Sequence, residues 1–343
     1  MRRQCEELWS DFSELADSNF TERFPHELHQ RWFEMYLGAT LRRAGLQVTA
    51  PKPGPDFRVM VNGRPIFIEA IAPTAGDPLH ADAVREPVYI DAEGNPAAAQ
   101  VPHDQITLRL ATAFRQKADA FDRYRRARLV GENDACIIAI NIRAIHHAWP
   151  DAEEFWFRAL YGVGNRFVVI DRAGGATVAG RDHRTLLRRA SGANEDVAPL
   201  LRPGHGNICG VLGSSADLAN QPNLLGDDFV LMPHATPSSP YPRGFLRRGA
   251  EVLLHADRER LRVENIDHGA LPPRGPERLV VEIGGEAVEA VWAVEGRTLS
   301  VRVGKRACDI RLAGGADPAA AAREIAIEIV RADQDRDSTA DSA

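Results

Sequence analysis

Residues 55–71 read Pro55-Asp56-Phe57-Arg58-Val59-Met60-Val61-Asn62-Gly63-Arg64-Pro65-Ile66-Phe67-Ile68-Glu69-Ala70-Ile71. Two apolar, β-branched-rich runs flank Asn62-Gly63, and both of those residues tolerate the positive φ that a type I′ turn demands, so the stretch predicts a β-hairpin. Counting outward from Asn62 and Gly63 sets Asp56 opposite Glu69 with both side chains on one face. Opposed like charges in a sheet are unfavourable, and a divalent cation held between them relieves the repulsion. Glu69 stands in Ile66-Phe67-Ile68-Glu69-Ala70-Ile71-Ala72, a run apolar on both faces that reads as a buried strand, where a carboxylate without a partner is costly. The plainer alternative has Asp56 opening a strand after Pro53-Gly54-Pro55 and Glu69 solvated. Arg64-Pro65 after the turn also leaves room for a slipped register.

The 343 residues are enough for one large or two ordinary domains, and 44% hydrophobic with 26% charged residues is the balance of a globular chain. No window approaches a transmembrane length, and Met1-Arg2-Arg3 runs into polar residues, so neither a membrane span nor a secretion signal is expected and the expected location is cytoplasmic. Cys5, Cys136, Cys209 and Cys308 are scattered without a Cys-x-x-Cys pair, which reads as reduced, buried thiols. The net charge is −6, and residues 251–343 carry 13 basic and 18 acidic side chains, so nearly all of the excess lies there. Between Gln105 and Arg128 seven basic residues face only Asp119 and Asp122, which offers a local basic surface for nucleic acid or an ordinary solvated helix face.

A weak amphipathic helix is expected over 5–17 and a stronger one from Pro25 to about Ala44, ended by Gly45, with Glu34 at the edge of its apolar face. His26-Glu27-Leu28-His29 lacks the spacing of a zinc protease. Residues 73–104 read as a loop-rich insertion containing the short run Val88-Tyr89-Ile90, and Asp104 as the N-cap of a long helix. On that helix Ile106, Leu110, Ala113, Phe114, Phe121 and Tyr124 form an apolar side, and Lys117 falls in the middle of it. Lys117 then either snorkels to water or has a buried partner. Strands are expected at Cys136–Ile142, Arg166–Ile170, Ile208–Leu212 and Phe229–Met232, with a helix from Asp151 to Tyr161, an alternation that implies an α/β sheet covered by helices. His146-His147 follows the Cys136 strand. A Pro- and Arg-rich linker over 233–249 separates a small β-rich domain, 250–332, closed by a helix from Asp317, and an acidic tail, 333–343, expected to be disordered. P-loop, dinucleotide-binding and nucleophile-elbow motifs are absent.

The succession of a helix carrying Glu34, Pro55-Asp56 at the hairpin, an apolar strand bearing Glu69 and then a long helix resembles the PD-(D/E)XK nuclease superfamily. The resemblance covers roughly residues 25–145, with weaker support to 235. It implies an α/β, restriction-endonuclease-like core, a central mixed sheet flanked by helices, spanning residues 1–249. In that family the acidic residues bind magnesium, and a lysine two residues beyond the strand glutamate positions the attacking water. Here that position holds Ile71. Some members carry the lysine on the following helix, and Lys117 is a fitting replacement.

The resemblance therefore implies a metal-dependent nuclease acting on phosphodiester bonds, in the first place of DNA. Asp56, Glu69 and the Ala70 carbonyl are its expected ligands for Mg²⁺ or Mn²⁺. Glu34 would bind a second metal or order that metal's water, and Lys117 would orient the nucleophile. Gln105, Arg109, Arg123 and Arg126 are the expected nucleic-acid contacts, and a second copy of the chain is a further expected partner. The alternatives are a binding module that kept the fold and lost hydrolysis, and a protein–protein scaffold using the C-terminal β domain.

Overall fold

The first unit opens with three helices, α1 (Arg2–Phe12), α2 (Phe20–Arg23) and α3 (Leu28–Arg43). Gly45, at φ 75°, follows the end of α3 in the left-handed conformation that glycine adopts without a Cβ penalty. Pro25 lies in the turn before α3, which begins three residues later than expected. Next come β1 (Gln47–Thr49), β2 (Phe57–Val61) and β3 (Arg64–Ile71). β2 and β3 pair antiparallel with Phe57 opposite Ile68 and Val61 opposite Arg64, across Asn62 at φ 50° and Gly63 at φ 76°. This is the expected hairpin in the expected register; Pro65 does not shift it.

A long helix, α4 (His103–Arg126), crosses over to β4 (Ala135–Asn141), which lies parallel to β3. Asp104 is inside the first turn of α4; Pro102 holds the N-cap position and makes no capping bond. There follow α5 (Ala152–Tyr161), β5 (Val163–Ile170), β6 (Thr177–His183), β7 (Leu186–Arg188), β8 (Asn194–Asp196), β9 (Gly210–Ser214), β10 (Val230–Pro233), β11 (Ala250–Leu254) and β12 (Leu261–Asn265). Eight of these strands make one mixed sheet in the order β1-β2-β3-β4-β9-β10-β11-β12. The strand expected near Arg166–Ile170 forms, as β5, but pairs with β6 in a sheet of two.

This computed structural model describes residues 2–88, 95, 100–170, 177–254, 261–266, 274–283, 286–295, 298–304, 306–311 and 318–340, so Tyr89 and Ile90 of the run expected in the 73–104 segment lie outside the described residues. The chain divides into Met1–Tyr241 with Gly249–Glu264, and Pro242–Arg248 with Asn265–Ala343. The boundary expected near 250 therefore falls about fifteen residues later, because β11 pairs parallel with β10 and stays with the large sheet.

Two cores flank that sheet. Phe67, Cys136, Ile138 and Ile140 pack with Leu110, Phe114 and Phe121 of α4 and Phe155 and Trp156 of α5. Side chains alternate across a strand, so Phe57 and Ile68 face the other way, and Phe57 meets Phe12 of α1 with ring centroids 6.4 Å apart. Gly38 of α3 permits that contact: a Cβ there would stand 2.6 Å from Phe12 Cδ2 and 3.1 Å from Phe57 Cε1.

The second unit is an antiparallel sheet of β13 (Arg274–Ile283), β14 (Glu286–Glu295), β15 (Thr298–Val303) and β16 (Arg306–Arg311), with α6 (Pro318–Ala340). Trp292, Leu299 and Val301 form its core with Ala322, Ile325 and Ala326. The acidic tail expected to be disordered from Asp333 is instead helical as far as Ala340, since no Pro or Gly interrupts residues 319–340. Among the described residues no helix is long and apolar enough to cross a membrane.

Candidate active site

β2 starts at Phe57, opposite Ile68, while β3 continues to Ile71. Beyond Ile68 the free edge of β3 loses its ladder partner, and its backbone groups need others. Asp56 Oδ2 accepts from the Ala70 N–H at 2.8 Å. Gln30 of α3 does the rest: its Nε2 donates to the Ala70 carbonyl at 3.1 Å and its Oε1 accepts from the Ala72 N–H at 2.8 Å. One side-chain amide bridging a carbonyl and the N–H two residues on imitates a residue of a parallel strand. The edge is thereby completed by side chains, and α3 is tied to the end of β3.

Glu69 lies on the sheet face covered by α4, with its side chain 4% exposed. Lys117 Nζ reaches its Oε2 at 2.5 Å and the Tyr124 hydroxyl donates to its Oε1 at 2.8 Å. The same ammonium is 3.8 Å from Asp56 Oδ2. Lys117 and Tyr124 are seven positions apart, about two helical turns, and so share one stripe of α4. Glu34 is held from α3, by Gln30 Nε2 on Oε1 at 2.8 Å and by Arg31 on Oε2 at 2.9 Å.

The charges are mutually adjusted. Burial, with the Glu69 and Glu34 charges, pushes the Asp56 carboxyl from the ordinary 3.8 up to about 7, against the opposing pull of Lys117 and the Ala70 N–H. Burial works to lower the Lys117 ammonium, but Asp56, Glu69 and Glu34 outweigh it and its pKa rises. The Tyr124 hydroxyl is held protonated, first by burial and then by the Glu69 charge it donates to. Lys117 is thus a cation and Tyr124 a donor throughout the neutral range, and Asp56 is the group that titrates there. Asp56 is also the opening, since 31% of its side-chain surface is exposed and its Oδ1 has no hydrogen-bond partner among the described residues.

This donor set limits which cation it can take. Among the described residues no three His, Cys, Asp or Glu side chains converge on a metal position, so a closed zinc or calcium cage of protein ligands is not formed. Two carboxylates and one backbone carbonyl match only in donor type what magnesium takes, an ion that keeps several waters and uses one or two carboxylates.

The structure brings together Asp56, Glu69, Ala70 and Lys117, with Glu34 alongside. The four expected nucleic-acid contacts are not gathered around them. Gln105 is twelve positions from Lys117, roughly 18 Å along the helix axis, and lines a separate cavity of about 480 Å³ with Arg85 and His147. Arg109 Nε donates to the Thr74 carbonyl at 3.0 Å and so anchors the segment after β3. Arg123, exposed, precedes Tyr124 directly. Arg126, also exposed, is turned about half a helical turn from Lys117. Gln30, Arg31 and Tyr124 were not among the expected residues. Their spacings, four and three residues before Glu34 and seven after Lys117, were the available signal, but a spacing does not name the partner across the fold.

What the fold and centre define is a mixed α/β protein with a sunken carboxylate pair closed by a lysine from the crossover helix. The chain matches no family model, no curated protein and no solved structure.

Proposed function

We propose that the protein is a magnesium-dependent nuclease of the PD-(D/E)XK type, acting on phosphodiester bonds of DNA, with the residues around β2, β3, α4 and β4 as a restriction-endonuclease-like core. The observation that carries this reading is the Lys117 ammonium at 2.5 Å from Glu69 and 3.8 Å from Asp56, beside a strand that has Ile71 where that family has its lysine. The carboxylates keep the ammonium charged away from bulk water, and phosphoryl transfer uses such a preorganised cation.

Asp56, Glu69 and the Ala70 carbonyl are the residues to hold the ion, which when bound supplies a polarised phosphate oxygen and a water of lowered pKa. Lys117 orients the attacking water and offsets the charge that grows on the phosphate. Gln30 fixes the direction of the Ala70 carbonyl, and Tyr124 fixes the rotation of the Glu69 carboxylate, leaving Oε2 to Lys117. Glu34 raises the negative potential around Asp56 while staying bound to Gln30 and Arg31.

The second reading, a binding module without hydrolysis, is favoured by Ile71 and by the near-neutral charge of the first 250 residues. Incubating supercoiled plasmid with the purified chain, in Mg²⁺ and in chelator, separates the two. Nicking or linearisation that needs Mg²⁺ and vanishes in both Asp56→Ala and Glu69→Ala supports the nuclease; unchanged cleavage in both variants excludes this centre.

A further inference from the structure

Next to Asp56 the sheet is bare on one face. β1 and β2 pair with Gln47 opposite Met60 and Thr49 opposite Arg58. Burial alternates along both strands: Val48, Phe57 and Val59 are buried, whereas Gln47, Thr49 and Arg58 are exposed and Met60 is partly exposed. The buried set packs on the side of α1, where Phe57 meets Phe12. Gln47, Thr49, Arg58 and Met60 therefore lie on the side of α4. Arg58 stands opposite Phe67, which is buried in the core that α4 covers, so that cover ends at β3 and leaves the strip beside it to solvent. Asp56, within 3.8 Å of Lys117 from α4, opens onto the same side. Arg58 follows it by two residues, about 7 Å between Cα atoms. The Arg58 guanidinium has no hydrogen-bond or ion-pair partner among the described residues. Lys52, exposed in the loop before Asp56, donates to a neutral acceptor, the Ala16 carbonyl, at 3.0 Å. From Gln47 to Pro65 Asp56 is the one acidic residue, against Lys52, Arg58 and Arg64.

We propose that this bare strip is where the substrate strand lies, with Arg58 holding the phosphate next to the one presented to Asp56 and Glu69. The inference rests on the nuclease reading and adds the surface by which the substrate is held. The carboxylates of the centre repel a phosphodiester. A cation without a counter-charge, one step along the same face, offsets that repulsion and takes the phosphate as its partner. The guanidinium fork suits two phosphate oxygens at once. Such a contact fixes the register of the strand over the centre and carries no base information. Arg64 supplies a control: it is exposed at the end of the same hairpin but alternates onto the other face with Ile66 and Ile68.

Fluorescence anisotropy of a labelled DNA duplex, in chelator and over a range of salt concentrations, tests the proposal on the wild type, Arg58→Gln, Arg58→Lys and Arg64→Gln. Arg58→Gln should weaken binding about tenfold at low salt and lower the salt slope by about one. Arg58→Lys should restore the slope, and Arg64→Gln should match the wild type in both. Equal slopes for the wild type and Arg58→Gln, the same loss in Arg64→Gln, or a wild-type chain that does not bind the duplex would each overturn the inference. Plasmid cleavage in Mg²⁺ is scored separately. Binding that depends on Arg58 without Mg²⁺-dependent cleavage would remove the nuclease reading and leave this surface standing; Mg²⁺-dependent cleavage with binding indifferent to Arg58 would do the reverse.

Discussion

Lys117 and Glu69 stand 48 positions apart in the chain, and their side chains meet at 2.5 Å. The parallel crossover from β3 to β4 makes that contact: α4 returns over the sheet face that carries Glu69, and its apolar stripe, which includes Lys117, is pressed onto it. Three charges that would each be costly alone, the buried Glu69 and the partly buried Asp56 and Lys117, are held as a group whose members offset one another.

Replacing Lys117 by Met keeps the stem's volume and removes the ammonium. Cleavage is expected to fall by about two orders of magnitude or more, the scale for losing one preorganised electrostatic group. Stability should fall by about 2 kcal/mol, less than the roughly 3–5 kcal/mol for a buried pair that loses a partner, because Asp56 can take up a proton. Mn²⁺ binding should persist. Plasmid cleavage with urea unfolding and calorimetry checks all three, and undiminished cleavage in Lys117→Met would remove the lysine from the mechanism.

With the raised Asp56 pKa, the stability of the metal-free protein and the proposed ion binding should respond to pH in opposite senses. A carboxyl that titrates near 7 when folded and near 3.8 when unfolded gives its stabilising contribution in full below about pH 4 and loses it as pH rises through 7. Thermal unfolding of the metal-free protein should show this contribution shrinking between pH 5 and 8, and Asp56→Asn should lack it. Under the proposed metal reading ion affinity should run the other way, weakening by up to tenfold per pH unit below 7 as the proton competes. Ion binding that is level from pH 5.5 to 8 would contradict this.

Tyr124→Phe keeps the ring and loses the donor to Glu69 Oε1. A hydrogen bond to a charged acceptor contributes about 1.5–3 kcal/mol, and a loss of stability in that range is expected. The freed carboxylate should also lower the cleavage rate by about tenfold while the ion still binds. If the rate holds, Tyr124 serves only the packing of α4.

Nucleic-acid affinity should separate the three arginines of α4. Arg123→Ala is expected to weaken binding and lower the salt slope by about one, the signature of one lost phosphate contact. Arg126→Ala should do less, being turned away from Lys117, and Arg109→Ala should act through the segment anchored at Thr74. Fluorescence anisotropy over a range of salt concentrations measures each slope. Equal slopes for the wild type and Arg123→Ala would take Arg123 out of the interface.

The hairpin was legible because its information is local. Asn62 and Gly63 accept positive φ, alternation along β2 and β3 does the rest, and the pairing of Asp56 with Glu69 follows by counting. The domain boundary was not, since the Pro- and Arg-rich stretch over 233–249 looks like a linker whether or not the next strand rejoins the sheet; β11 does rejoin it, beside β10. The acidic tail was misjudged for a related reason. Charge density argues against a packed core, but it does not forbid a helix that continues α6.

From its residues alone this chain determined an Asn-Gly hairpin with two carboxylates at one end and a long amphipathic helix with a lysine on its apolar side. Those properties depend on neighbours a few positions away, through backbone conformation and the periodicities of strand and helix. Only the tertiary structure decided that Lys117 belongs to Asp56 and Glu69, that Gln30 completes the edge of β3, and that Arg31 closes the carboxylate pocket of Glu34. A charge or amide buried far from any partner in sequence finds one only when helices fold onto the sheet, and which partner it finds depends on the register and crossover of elements that no local pattern records.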